Sequence, residues 1–462
     1  MAITILSIGL LVFAGHFLTG FFERTKVPDV LILMLAGILI GPVLGLVSTA
    51  DFGVVGPVFT TLALVVILFE GGVHLNVKDL ARSAGDTLFL SVATFVLTML
   101  LVTHLADLFL PIDVYTALLI GVIVGGTSSA VVVPLIRILK LADRPGTILV
   151  LESALTDVLA VVLSLALMRG MQTGFSPTAI AGEVAAAFLL AALIGAVGAF
   201  VWSAVLPKIR QMPNTVFTTI AYVLILFGLT ELWGYSGAIA ALSFGVGVAN
   251  LPNIPQRILG RIITFRLAGF SAVERTFFAE AVFLVKTFFF VFLGISIGFS
   301  NTRAVLVGLL LSVIAFLGRL VMVRLLVPRS VSRRHALLMT ALIPKGLAAA
   351  VLAGMPSQLG LPNGELIQST VYAVIFFTIL FCAILVFAIE SGLLDNVSAG
   401  FFGPFATEPS GPATAAYVVP SFEQSLGLPA LREEYLEPNI VDLGDDRTPP
   451  EEENTPPPPS PV

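Results

Sequence analysis

Long apolar runs separated by short polar stretches dominate the chain. A membrane helix needs about 20 predominantly apolar residues. Windows of that kind fall near 3–22, 27–47, 57–75, 86–109, 115–139, 147–170, 182–206, 215–232, 235–251, 274–298, 303–327, 335–357 and 366–391. The pattern predicts an all-α polytopic membrane protein of about 13 transmembrane helices. The weakest division is within 215–251, which is split only at "ELWGYSG" (231–237). The first window has no basic n-region and no A-x-A site, and so reads as a membrane helix and not a cleaved signal.

The polar stretches test that count. With their flanks, the odd-numbered connections carry 2, 2, 3, 2, 4 and 4 Lys/Arg, among them "ERTK" (23–26) and "PRSVSRR" (328–334). The even-numbered ones carry 0, 0, 1, 0, 1 and 0. By the positive-inside rule the odd loops are cytoplasmic, which places the N-terminus outside and the C-terminal tail inside a cell membrane. Composition agrees: the chain is 57% hydrophobic and 11% charged, with mean hydropathy +1.03, against roughly a quarter charged for a soluble protein. The net charge of −5 is uneven, since residues 398–462 hold 2 Lys/Arg against 11 Asp/Glu. That tail, ending "TPPEEENTPPPPSPV", is acidic, Pro-rich and without a G-x-G-x-x-G motif, and is expected to be mostly disordered. The membrane domain is then 1–397. Between spans nine and ten, "IPQRILGRIITFRLAGF" (254–270) reads as an interfacial amphipathic helix. One cysteine, Cys382, excludes an internal disulfide and a zinc site. No cofactor and no nucleic-acid partner is expected.

Two spans are interrupted. "IGVIVGGTSSAVVVPLI" (120–136) has Gly125-Gly126, three hydroxyl residues and Pro134; "LMTALIPKGLAAAVLAG" (338–354) has Pro344-Lys345-Gly346 at its centre. Broken helices persist at membrane depth only where the freed backbone is buried in protein or lines a wet cavity. Breaks at matching positions of two halves point to a transport site. Here repeat one (1–170) and repeat two (215–391), joined by a linking helix at 182–206, each have their break in the fifth span, and those two spans run in opposite directions.

Span six, "VLESALTDVLAVV" (150–162), carries Glu152, Ser153, Thr156 and Asp157 on one polar face. At about 1.5 Å per residue, Asp157 and Lys345 each lie about 15 Å from the cytoplasmic side and Thr127 about 18 Å from the outside. All three are near the midplane. An ionisable residue there is a site candidate by default. The oxygens of this face, with Thr127, Ser128 and Ser129 at the break, are hard ligands suited to Na⁺, K⁺, Li⁺ or a proton. One carboxylate among neutral oxygens holds a cation or a proton but hardly both, which is an exchange mechanism in itself. Lys345 is either a clamp on the broken helices or a second proton carrier. Glu70, ending span three in "VILFEGGVHL" (66–75), and Arg319 in span eleven lie at depths that permit a salt bridge. Lys286 has no evident partner.

These residues resemble the monovalent cation/proton antiporter superfamily, on its NhaP and Na⁺/H⁺ exchanger side. The resemblance rests on "LFEGG" (68–72), "ESALTD" (152–157), "ELWGYSGAIAAL" (231–242) and Lys345-Gly346, and covers about residues 1–391. It implies an elevator-like transporter with crossed broken helices, assembled as a homodimer. Asp157 would be the essential carboxylate, Ser153, Thr127 and a water held by Glu152 would complete the ion's shell, and Glu70 would join a core ion pair. This chain departs from the family pattern in Thr156, where Asn is usual, in Ser128, where T-D-P has Asp, and in Lys345, where the NhaP side has Arg. With no second Asp at 156, electroneutral exchange is favoured, Na⁺ being the first expectation and K⁺ the alternative. A cation channel, or a sensor with the tail as output, remains open. An intramembrane aspartyl protease would need a second mid-depth Asp, which the spans lack, and no enzyme is expected.

Overall fold

Every apolar window from residue 27 onward contains helix. The structure is a computed structural model and describes residues 9–10, 12–17, 27–52, 55–74, 86–141, 143–173, 177–212, 215–251, 269–298, 301–394, 400–403 and 405–406. The basic stretch 23–26, most of the expected interfacial helix at 254–270 and the tail beyond 406 lie outside these residues. Helices α1 (Asp29–Ile38, continued by a π-helical stretch Leu39–Val43), α2 (Val55–His74), α3 (Asp86–Phe109), α4 (Val114–Gly125), α5 (Ser129–Ile138), α6 (Asp143–Thr173) and α7 (Pro177–Ile209) come first. They are followed by α8 (Thr218–Leu232), α9 (Gly237–Asn250), α10 (Ala272–Ser296), α11 (Thr302–Leu326), α12 (Arg333–Ala341), α13 (Leu347–Gln358) and α14 (Gly364–Glu390). Within the first window, residues 9–10 and 12–17 are helical. Seven apolar stretches among the described residues are long enough to cross a membrane, and five shorter apolar helices accompany them. This is a multi-pass membrane protein. The count of thirteen exceeds seven because helices such as α8 and α9, of 15 and 14 residues, rise only about 22 Å.

The two predicted interruptions are real. Span five breaks between α4 and α5 at residues 126–128, and span twelve breaks between α12 and α13 at residues 342–346. Glycine crossings then hold a separate set of helices together. A methyl at Gly37 of α1 would stand 2.2 Å from the Val291 carbonyl of α10, and one at Gly294 2.2 Å from that of Met34. The same holds for Gly72 of α2 against Leu242 of α9, and for Gly245 against Phe69. Only a missing Cβ lets these backbones approach so closely. The pairings follow the repeats: member two of one half crosses member three of the other, twice, while α3 packs on α11, its own counterpart.

Two groups of helices result. One holds α3–α6 and α11–α14; the other holds α1, α2 and α7–α10, with α2 and α10 facing α13 across the seam. The second group has a core of its own, where Val65, Phe69, Trp202, Leu226 and Phe244 meet. Beyond α14, Phe402 and Phe405 are buried in the larger core. Ala406 joins the loop before α12, accepting from the Arg333 amide at 3.0 Å and donating to the Arg329 carbonyl at 3.1 Å. Aromatic side chains in "FFGPF" (401–405) give these residues an apolar surface to bury.

At the N-terminal end of α4, Asp113 caps the helix, accepting from the amides of Tyr115 (3.0 Å) and Thr116 (3.1 Å) and from the Thr116 hydroxyl at 2.5 Å. Partial burial pushes its carboxyl up, but the hydrogen bonds from Thr116 and Tyr115 outweigh this and hold it below the ordinary value. Its contribution is therefore present above about pH 4 and lost as pH falls through the lowered value. Asp113→Ala should destabilise the protein by about 1 kcal/mol near neutral pH. Thermal melts in detergent should show that deficit shrinking toward pH 3.

Candidate functional site

Residues 126–128 and 342–346 cross at the centre of the first helix group. Gly125-Gly126 and Pro344-Lys345-Gly346 cannot sustain helix there, since Gly is a poor helix former and Pro lacks the N–H. The broken backbones satisfy each other in part: the Ser128 amide donates to the Pro344 carbonyl at 2.8 Å. The Ser128 side chain fills the place where a Cβ on Gly346 would lie, 2.0 Å from its hydroxyl oxygen, so Lys345 must be followed by glycine.

Asp157 of α6 projects to the start of α5. Its Oδ2 accepts from the Ser129 hydroxyl at 3.0 Å, with the Ser129 amide at 3.5 Å. A carboxylate at a helix N-terminus meets unpaired N–H groups and the positive end of the helix dipole. Asp157 is half-buried, whereas Glu152, Ser153 and Thr156 on the same helix are buried. Of the polar face read from the sequence, Asp157 is thus the least buried member. Thr156 accepts from the Thr127 amide at 3.1 Å and so braces the break itself. The Ser153 hydroxyl donates to the Val150 carbonyl of its own helix at 3.0 Å. Thr127 and Ser128 are buried, and the Ser128 hydroxyl has no hydrogen-bond partner. Lys345 is 2% exposed, and its charge is attracted by Glu152 and Asp157 and repelled by Arg319.

The expected Glu70–Arg319 pair is corrected. Arg319 gives Nη2 to Glu152 Oε2 at 2.7 Å and Nη1 to Glu152 Oε1. Its Nη1 also donates to Thr94 of α3 at 3.2 Å and its Nε to the Met339 carbonyl of α12 at 3.0 Å. Depth alone did not choose between two acidic residues, and the planar guanidinium fork goes to the carboxylate it meets face on. Both oxygens of Glu152 are thereby engaged, which leaves it poorly placed to hold a water in an ion's shell. Glu70 lies on α2, in the other helix group.

Three partners escaped the sequence reading. Asp29 of α1 pairs with Lys286 of α10 at 3.2 Å, beneath the Gly37–Gly294 crossing. Thr94 supports Arg319. Thr378 of α14 accepts from the Lys345 amide at 3.1 Å. The available signal was a hydroxyl at mid-depth in an apolar span ("FFTILF", 376–381), too common in membrane helices to single out.

Comparison with known proteins bears on this geometry. The family described as "Sodium/hydrogen exchanger, transmembrane" matches residues 9–389. The K(+)/H(+) antiporter NhaP of Alkalimonas amylolytica is 27% identical over 289 residues, 59% of this chain and 50% of that protein. The K(+)/H(+) antiporter NhaP2 of Shewanella baltica is 24% identical over 374 residues, 78% of this chain and 61% of that one. The chain therefore spans half to three-fifths of these curated relatives. The sodium proton antiporter MjNhaP1 of Methanocaldococcus jannaschii has the same fold, with a TM-score of 0.62 at 23% identity, covering 83% of this chain and 98% of that one. Since the family match takes in both broken helices and the Asp157 helix between them, the chain belongs to the sodium/hydrogen exchanger family.

Proposed function

We propose that this protein exchanges a monovalent cation for protons by alternating access, with Asp157 as the group that carries either ion. The observation that carries the reading is a half-buried carboxylate at a helix N-terminus beside two crossed, broken helices, set against the buried Lys345. Asp157 and the Ser129 hydroxyl supply hard oxygens, with Thr127 and Ser128 adjacent. Cation and proton compete for the same oxygen atoms, so binding one displaces the other. Coupling follows when only a loaded carboxylate crosses, because an uncompensated charge in the low-dielectric seam is costly. One cation then returns one proton, and the cycle moves no net charge.

Na⁺ is the first candidate cation. K⁺ is the second, favoured by what the two curated relatives are named for. The basic odd-numbered loops support an N-terminus outside and a tail inside the cell membrane, and family membership supports a homodimer. The division into two helix groups suits an elevator-like shift of α3–α6 and α11–α14 against the rest.

The test is cation-driven pH change in proteoliposomes loaded with a pH dye, adding Na⁺, K⁺ and Li⁺ in turn. Proton efflux on addition of one of these cations, insensitive to a valinomycin clamp in the Na⁺ and Li⁺ runs, is the expected result. Cation flux without proton counterflow would instead favour a channel.

A further inference from the structure

Each broken helix leaves an amide without its helical acceptor, and each is answered by a threonine of the next helix. At the first break the Thr127 amide donates to Thr156 of α6 at 3.1 Å; at the second the Lys345 amide donates to Thr378 of α14 at 3.1 Å. Both hydroxyls are turned the same way, donating to the carbonyl three residues back: Ser153 for Thr156 at 3.4 Å, Ile375 for Thr378 at 3.1 Å. The hydroxyl proton is thus committed to its own helix, and a lone pair faces the break. Since α6 and α14 are the sixth members of the two halves, Thr156 and Thr378 are counterparts. Thr378 is 0% exposed, so its bond to the Lys345 amide lies inside the protein.

We propose that Thr378 is the positioning residue for Lys345: by fixing that amide it sets where the ammonium stands relative to Asp157, and thereby how strongly the site holds a cation. The backbone of Lys345 is otherwise constrained on either side, by the Pro344 carbonyl bonded to Ser128 and by Gly346 under the Ser128 hydroxyl. Thr378 supplies the remaining hold, on the residue itself. The groups whose charges act on Lys345 are Glu152 and Asp157 from α6 and Arg319 from α11. With Glu152 and Arg319 locked together as a neutral pair, a shift of the ammonium changes its opposition to a cation at Asp157. Loosened, Lys345 opposes the cation less. The site then binds more tightly and unloads more slowly.

The kinetic arm of the test rests on the exchange reading above; the amide arm does not. Thr378→Val removes the acceptor at nearly constant volume, Thr378→Ala removes it without risk of overpacking, and Thr378→Ser keeps it. Hydrogen exchange of peptides covering residues 343–347 should quicken by about ten- to a hundredfold in the Val and Ala variants, the loss expected when a buried amide is left unpaired. Exchange there in the Ser variant should stay as in the parent protein. In proteoliposomes the Val and Ala variants should show KM for the cation and maximal rate falling together, each about three- to tenfold, with Ser restoring both. A fold defect alone would lower the rate and leave KM unchanged. Unaltered amide protection in the Val and Ala variants would overturn the proposal, as would lost protection with KM unmoved. If the parent protein exchanges no cation, the exchange reading fails, and the amide result still decides whether Thr378 holds Lys345.

Discussion

Asp157→Asn is expected to reduce cation-driven proton movement to the level of protein-free liposomes while leaving the fold intact. Asparagine has the same shape and keeps a side-chain oxygen that accepts from the Ser129 hydroxyl, now 3.0 Å from the carboxylate. It cannot take a proton at physiological pH and offers a cation only a neutral oxygen. Both halves of the proposed cycle fail together. Because Asp157 is half-buried and its hydrogen bonds run to Ser129, the substitution disturbs little packing. The melting temperature should therefore stay within a few degrees of the parent. That combination separates carrier from scaffold, since a structural carboxylate would lose stability and activity in parallel. Retained exchange in correctly reconstituted Asp157→Asn protein would refute the assignment.

The length of the apolar runs made most of the helices legible. From residue 27 onward, windows drawn from apolar runs match the described helices to within a few residues, because a chain in lipid must satisfy its backbone internally and so is helical wherever it is apolar for long enough. The breaks at 126–128 and 342–346 were legible for a related reason: Gly-Gly and Pro-Lys-Gly mark the places where that requirement is met by other means. Pairing was less legible. Depth put Glu70 and Arg319 within reach of one another, but which carboxylate the guanidinium meets depends on rotation about the helix axes, and that is set by packing such as the Gly72–Gly245 crossing. Lys286 posed the same problem. Its partner Asp29 sits near the end of α1, and a lysine's long stem lets it reach a carboxylate away from its own depth. Thr156 illustrates the limit for the site. Composition made it an oxygen ligand, whereas its lone pair goes to the Thr127 amide, a use of the hydroxyl that only the geometry of the break reveals.

Breaking the Arg319–Glu152 pair should produce the largest loss of stability in the protein. Both side chains are 1% exposed. Taking two charges from water costs several kcal/mol each, which is offset only while they face one another with their remaining hydrogen bonds made. Here those bonds are made: Arg319 joins α3 through Thr94, α6 through Glu152 and α12 through Met339, holding the helix before the second break against the helix that carries Asp157. Arg319→Met leaves Glu152 as a buried, unpaired anion, and Glu152→Leu leaves the guanidinium as a buried cation. Each should cost about 3–5 kcal/mol, seen as a large drop in melting temperature and in yield of folded protein. The double variant Glu152→Leu with Arg319→Met removes both charges and should regain most of the loss, since well-packed apolar replacements of buried ion pairs are often neutral or better. The cycle of four proteins measures the coupling, expected to be strongly non-additive. It also decides the role of Glu152. If its carboxylate serves only to hold Arg319, the rescued double variant should still exchange cations with a KM near that of the parent. If Glu152 belongs to the ion's shell through a water, restoring stability will not restore affinity, and KM will rise even in a protein that melts like the original.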